Sequence, residues 1–217
     1  MSELFDEVDE DVRRDQLKKL WDQYSIFIIA GALLIIVAVG GWRGYQYLEA
    51  KKAAEAGAAF DKAVELAEAN KPAEAEAAFT NLAATAPSGY RILSRLRAAA
   101  EVASRDPQAA EKLYDSISAD RSVGTSEQEL ARIRAAGLLL ETSTYPDMLA
   151  RLESAAAAGA TFRHSARELL ALSAWRANDT TATRRWLDLI ANDGQTPQGL
   201  RSRAESLQAL LPPVAKS

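Results

Sequence analysis

The longest uniform stretch in the pattern of apolar and polar positions runs from Ile26 to Trp42, and no charge falls between Asp22 and Arg43. As a helix, the uncharged segment from Gln23 to Trp42 is about 30 Å long, the thickness of a bilayer's hydrocarbon core. Its strongly apolar residues (Ile26, Phe27, Ile28, Ile29, Leu33, Leu34, Ile35, Ile36, Val37 and Val39) outweigh the small insertion costs of Ser25, Gly31, Gly40 and Gly41. Tyr24 and Trp42 stand at its two ends, where amphipathic rings favour the headgroup region. The pattern predicts a membrane-spanning helix. A buried core helix is one competing reading, but it would be shorter and would show a polar face. A cleavable signal peptide is the other, because Ala38-Val39-Gly40 is a small-x-small triplet. Against it, about twenty-five residues precede the apolar core, mostly acidic rather than a short basic leader.

Before this stretch, Leu4, Phe5, Val8 and Val12, then Leu17, Leu20, Trp21 and Tyr24, recur at spacings of three and four. Each set therefore shares a helical face, and the second predicts an amphipathic helix running into the span. Such a tail either docks a partner or lies solvated on the headgroups. Arg13, Arg14, Lys18 and Lys19 face Arg43, Lys51 and Lys52 across the apolar stretch, a balance that leans by one residue toward a cytoplasmic tail.

After Trp42 the pattern becomes a run of helix-length segments. Breaks fall at Asn70-Lys71-Pro72, Ala86 to Gly89, Arg105-Asp106-Pro107, Ala119 to Gly124, Thr142 to Pro146, Ala158-Gly159, Asn178-Asp179 and Asn192 to Pro197. Each holds Pro, Gly, Asn or Asp, which cap or stop helices. Pro72, Pro107 and Pro146 fall where a first helical position is expected, since the missing N–H costs little there. The breaks recur. Ala75, Phe79 and Leu82 are spaced i, i+4, i+7, as are Ala110, Tyr114 and Ile117, then Met148, Leu152 and Ala155, then Ala182, Trp186 and Leu189. A repeat of this length predicts stacked helical hairpins, because no single hairpin buries its apolar face alone. A non-repetitive bundle with the same core spacing is the alternative.

Composition agrees with an all-α fold. The body is rich in alanine, the chain has 11 glycines and 7 prolines, and long β-branched alternations are missing. The 217 residues carry a net charge of −4, all of it contributed by residues 1 to 25; the rest is balanced. No basic stripe of the kind that displaces counterions from nucleic acid is present. There is no cysteine, so disulfides and thiolate chemistry are excluded.

The first repeat resembles a tetratricopeptide unit: Ala63 and Leu66 in its first helix, Ala75, Phe79 and Leu82 in its second, and Pro87 closing it. Ala110 to Tyr114 resembles that pattern less, Met148 to Ala155 lacks the aromatic, and Leu169 to Trp175 with Ala182 to Trp186 fits again. The whole arrangement resembles the bacterial family of ancillary SecYEG translocon subunits: an acidic tail, one transmembrane helix ending in Gly41-Trp42-Arg43, a tyrosine-bearing, alanine-rich helix from Tyr45 to Phe60, then degenerate tetratricopeptide repeats. The resemblance implies a type II inner-membrane protein with a periplasmic repeat domain of about four hairpins. It also implies association with the Sec translocon and transfer of emerging chains to periplasmic chaperones. An adaptor for cell-envelope assembly or division is the alternative function. The expected organisation is a tail at 1–24, a transmembrane helix at 25–44, a tetratricopeptide-like repeat domain at 45–211 and a disordered C-terminus at 212–217.

No catalytic residue, cofactor-binding residue or metal ligand is assigned. His164 is the one histidine; without cysteine or a second histidine it makes no zinc or copper site, and it reads as a surface or capping residue. The glycines match neither nucleotide-binding pattern. Glu74 with Glu76, and Glu127 with Glu129, read as solvated helix faces. Arg91, Arg95, Arg132, Arg163 and Arg167 fall on first helices of the hairpins. There they either line a concave face that meets carboxylates or pair with neighbouring acids. The expectation is a protein-binding scaffold, not an enzyme.

Overall fold

The computed structural model describes the backbone from Glu3 to Pro213, with side chains at Lys18 and from Trp21 onward. Val214 to Ser217, the larger part of the expected disordered C-terminus, lie outside the described residues, as do the side chains of Leu4, Phe5, Val8, Val12, Leu17 and Leu20. The described residues form helices and connections, with no strand. The chain divides between Ala54 and Glu55 into two units.

The described residues of the first unit lie on α1 (Glu3–Glu68), a helix of 66 residues. Its ten large apolar side chains between Ile26 and Val39 are each more than half exposed. Leaving one such side chain in water costs about 1.5–3 kcal/mol, so this surface requires an apolar surrounding. A core helix would bury that surface, and this one does not. Among the described residues it is the one helix long and apolar enough to cross a membrane, with a mean hydropathy of 2.4 over its most apolar window; a signal sequence passes the same test.

The second unit begins with the last turns of α1 and continues through α2 (Pro72–Thr85), α3 (Ser88–Ala103), α4 (Pro107–Ser118), α5 (Thr125–Leu139), α6 (Tyr145–Leu152), α7 (Arg163–Arg176), α8 (Thr180–Ala191) and α9 (Gln198–Ala209). Each connection coincides with a break read from the sequence. Pro72 and Pro107 open their helices; Pro146 is the second residue of α6, because Thr144 rather than Tyr145 is the cap. Asp106, Thr144 and Asp179 accept from the backbone N–H groups of Ala109, Asp147 and Ala182, and each such cap contributes about 1 kcal/mol. Asn70 and Asn178 share a left-handed backbone (φ 58° at both), and each ends the first helix of its hairpin. In both, the following N–H bonds back to a carbonyl five residues earlier, at 3.0 Å (Lys71 to Leu66) and 2.9 Å (Asp179 to Ala174).

Four hairpins follow: the end of α1 with α2, α3 with α4, α5 with α6, and α7 with α8; α9 closes the stack against α8 and α7. Alanines at the crossings let the helices approach closely. Ala63, Ala75, Ala99, Ala131, Ala135 and Ala166 have no exposed surface. In the first hairpin Phe79 is fully buried against Phe60, ring centres 5.2 Å apart, and Phe60 also meets Tyr90. A Cβ on Gly57 would stand 2.8 Å from the Tyr90 hydroxyl, so that ring would have to shift to admit one.

The buried triplets of the first three hairpins are those read from the sequence; the fourth is one residue out of register. Thr183, Leu187 and Ile190 are buried, whereas Ala182 is half-buried and Leu189 is 39% exposed. Trp186 is buried too, beside the triplet, with its indole N–H donating to the Tyr145 hydroxyl at 2.9 Å. A threonine takes the small position because its hydroxyl donates to the Asp179 carbonyl at 2.7 Å, so burying it leaves nothing unpaired.

Candidate functional site

Helices α3, α5 and α7, the first helices of hairpins two, three and four, line an open groove of about 660 Å³. Its α3 wall is Ala100 and Ala103; its α7 wall is Ser165, Glu168 and Leu169. Between them α5 presents Leu130, Arg134 and Gly137, spaced i, i+4, i+7 and so on one helical face. Tyr114 of α4 reaches the groove from behind, nearly buried, its hydroxyl donating to the Leu96 carbonyl at 3.4 Å. Burial pushes the Tyr114 phenol up from its ordinary pKa, against the pull of the nearby Arg134 and Arg97 guanidinium groups.

None of the five arginines expected on this face lines the groove. Arg95 of α3 pairs with Asp120 at 2.7 Å and borders a smaller cavity of about 290 Å³ among α2, α3 and α4. Arg91 donates to the Ala86 carbonyl at 3.3 Å. Arg163 and Arg167 converge on Asp193 at 2.7 and 3.1 Å. Arg167 is buried, and its guanidinium also donates to the carbonyls of Ala156 and Leu189. Arg132 is half-buried and makes no ion pair among the described residues. The ordinary reading of these side chains, pairing within the body, accounts for Arg95, Arg163 and Arg167.

His164 is not a surface residue. It is half-buried beside this cluster, with Nδ1 3.2 Å from the Thr196 hydroxyl and 3.9 Å from an Asp193 carboxylate oxygen. Burial first, and the neighbouring Arg163 charge second, push its pKa down. Asp193 is held well below the usual carboxylate range, chiefly by the hydrogen bond from Arg163 and then by the Gln195 backbone N–H. Of the acids read as solvated faces, Glu74 is exposed and the other three are half-buried. Glu74 pairs with Lys71 at 3.1 Å, and Glu76 pairs with Arg105 across the hairpin boundary.

Sequence reasoning missed a set of arginines that fasten one hairpin to the next. Arg151 of α6 reaches Asp115 and Glu111 of α4 at 2.6 and 3.3 Å. Arg176 of α7 donates to the carbonyls of Leu140 and Glu141 beyond the end of α5. Arg203 of α9 grips Glu168 of α7 with two bonds, at 2.6 and 3.0 Å. Their partners lie 35 or more positions away, beyond the reach of any local pattern. Arg134 and Gly137 were missed as well; the signal that could have found them is the i, i+4, i+7 spacing that puts them with Leu130 on one face of α5.

The geometry is that of stacked hairpins whose first helices leave one face open. No curated protein and no solved structure matches the chain at a significant level. The family model described as a tetratricopeptide repeat-like domain matches residues 18–184, well over half of the sequence. Because that match spans well over half of the sequence, the chain belongs to the tetratricopeptide repeat-like domain family.

Proposed function

We propose that this protein is a single-pass, membrane-anchored scaffold that binds other proteins at the Sec translocon, linking export to periplasmic chaperones. Residues 1–24 then form a cytoplasmic tail, 25–44 the span and 45–211 the periplasmic repeat body. Tetratricopeptide-like domains generally mediate protein–protein interaction, and the groove along α3, α5 and α7 is the surface on which a partner segment fits. The observation that carries the reading is the presence, in one chain, of an exposed apolar stretch of membrane length and a repeat body with an open groove. The translocon assignment is supported by the resemblance around Gly41-Trp42-Arg43 and the helix that follows. A topology reporter fused after Ser217, combined with crosslinking of the intact protein in its membrane, tests it. The reporter is expected on the periplasmic side, with translocon subunits or periplasmic folding factors among the adducts. A cytoplasmic reporter, or adducts confined to unrelated envelope proteins, would refute it.

A further inference from the structure

We infer that the groove of α3, α5 and α7 takes a peptide segment of another protein that seats a large apolar side chain over Gly137 and a carboxylate against Arg134. This rests on the groove being the working surface. Gly137 is inside α5, where glycine is disfavoured relative to alanine. Nothing in the described body requires it: its φ is not positive, and an added Cβ would meet no atom within 4 Å. Its missing side chain instead leaves clearance in the groove, which the small Ala100 and Ala103 of α3 also line, with Leu130 and Leu169 supplying apolar walls. That clearance fits a bulky apolar side chain.

The charge at the groove is one-sided. Of the two charged side chains that line it, Glu168 is already held by two nitrogens of Arg203, whereas Arg134 is exposed and makes no ion pair among the described residues. Arg97, also exposed, and the half-buried Glu101 lie close enough to act on the Tyr114 phenol, and together with Arg134 they leave a surplus of one positive charge. A guanidinium in a partly apolar groove favours a carboxylate that it can hold with two parallel bonds. The occupant therefore carries Asp or Glu beside a Leu or Phe, within one or two residues if extended or one turn away if helical.

The test uses the full chain in nanodiscs and three fluorescent peptides of equal length: one combining Leu and Phe with Asp and Glu, one with the acids replaced by Lys, and one with the apolar residues replaced by Ser. The acidic–apolar peptide is expected to bind tightest. Arg134→Glu should weaken it at least tenfold and improve the Lys peptide. Gly137→Leu should abolish binding without lowering Tm, and Gly137→Ala should raise Tm while weakening binding partly. Equal binding of the acidic and Lys peptides, with Arg134→Glu inert, would overturn the charge assignment while the groove stands. Undiminished binding to Gly137→Leu would overturn the groove itself, and no binding of any peptide by the parent chain would overturn both.

Discussion

The connections after α4 and after α8 do the same job at different strengths. Asp120 and Asp193 each stand ten positions beyond the small residue of their buried triplet, Ala110 and Thr183. Each accepts a backbone N–H two residues on, from Ser122 and Gln195, both at 3.0 Å. Each is gripped by arginine from the first helix of its own hairpin. Asp120 has one such partner, Arg95, and sits low, at about 2, first through the Ser122 hydroxyl and then through Arg95. Asp193 has two, Arg163 and the buried Arg167, with His164 alongside, and Arg201 of α9 donates to its carbonyl at 3.0 Å. The repeat supplies the position; the end of the stack elaborates it. An aspartate in this turn locks the second helix of a hairpin to the first, and near α9 it also fixes the closing helix.

The comparison depends on the register in which Thr183, not Ala182, is equivalent to Ala110, and packing energies separate the two registers most sharply. Leu187→Ala is expected to cost about 2–5 kcal/mol of stability, since that side chain is fully enclosed, whereas Leu189→Ala should cost under about 1 kcal/mol. Denaturant unfolding of the two variants measures the difference; equal costs would restore the other register. Next in size, Asp193→Asn should lower Tm by several degrees and by more than Asp120→Asn, because it leaves the buried Arg167 guanidinium with backbone carbonyls alone. Equal shifts would show the two turns to be equivalent.

A smaller effect comes from protons. His164 faces Asp193, Arg163, Arg167 and the Thr196 hydroxyl, and its pKa in the folded chain is lowered from 6.5. The unfolded chain therefore takes up that proton first, so the contribution is complete above 6.5 and is lost as pH falls from there through the lowered value. Asp120 and Asp193 are also lowered, from 3.8, and their contributions are present above that value and lost as pH falls further. Tm followed from pH 8 to pH 3 should show two stages of loss, and His164→Gln should remove the first alone. The smallest expected change is a gain: Gly137→Ala should add about 0.5–1 kcal/mol, read by the same unfolding experiment.

The hairpin stack was legible because its signals are local. Proline, asparagine and aspartate at the breaks act on the backbone within a few residues, and the i, i+4, i+7 triplets reflect one helical face. The fourth triplet was misplaced because Trp186 drew the alignment. A threonine takes the fully buried small position because its hydroxyl bonds to the Asp179 carbonyl, a partner that the apolar pattern does not reveal. The two readings of the arginines, a concave face or pairing within the body, could not be separated for a different reason. Residue type and helix position say that Arg95, Arg163 and Arg167 are on first helices, but only the chain's return through Asp120 and Asp193 shows which way they turn. The groove itself depends on three helices brought together, so no single stretch announces it, although the Leu130, Arg134, Gly137 stripe marks its middle wall.

The most direct test of the scaffold account places a photo-crosslinking residue at single positions of the full-length protein in its native membrane. The groove positions are Ala103, Gly137 and Leu169; the comparison positions are the exposed Leu93 and Leu189, which do not line it. The account predicts discrete protein adducts from the groove positions and few from the others. Adducts confined to Leu93 and Leu189, with silence along α5, would contradict it.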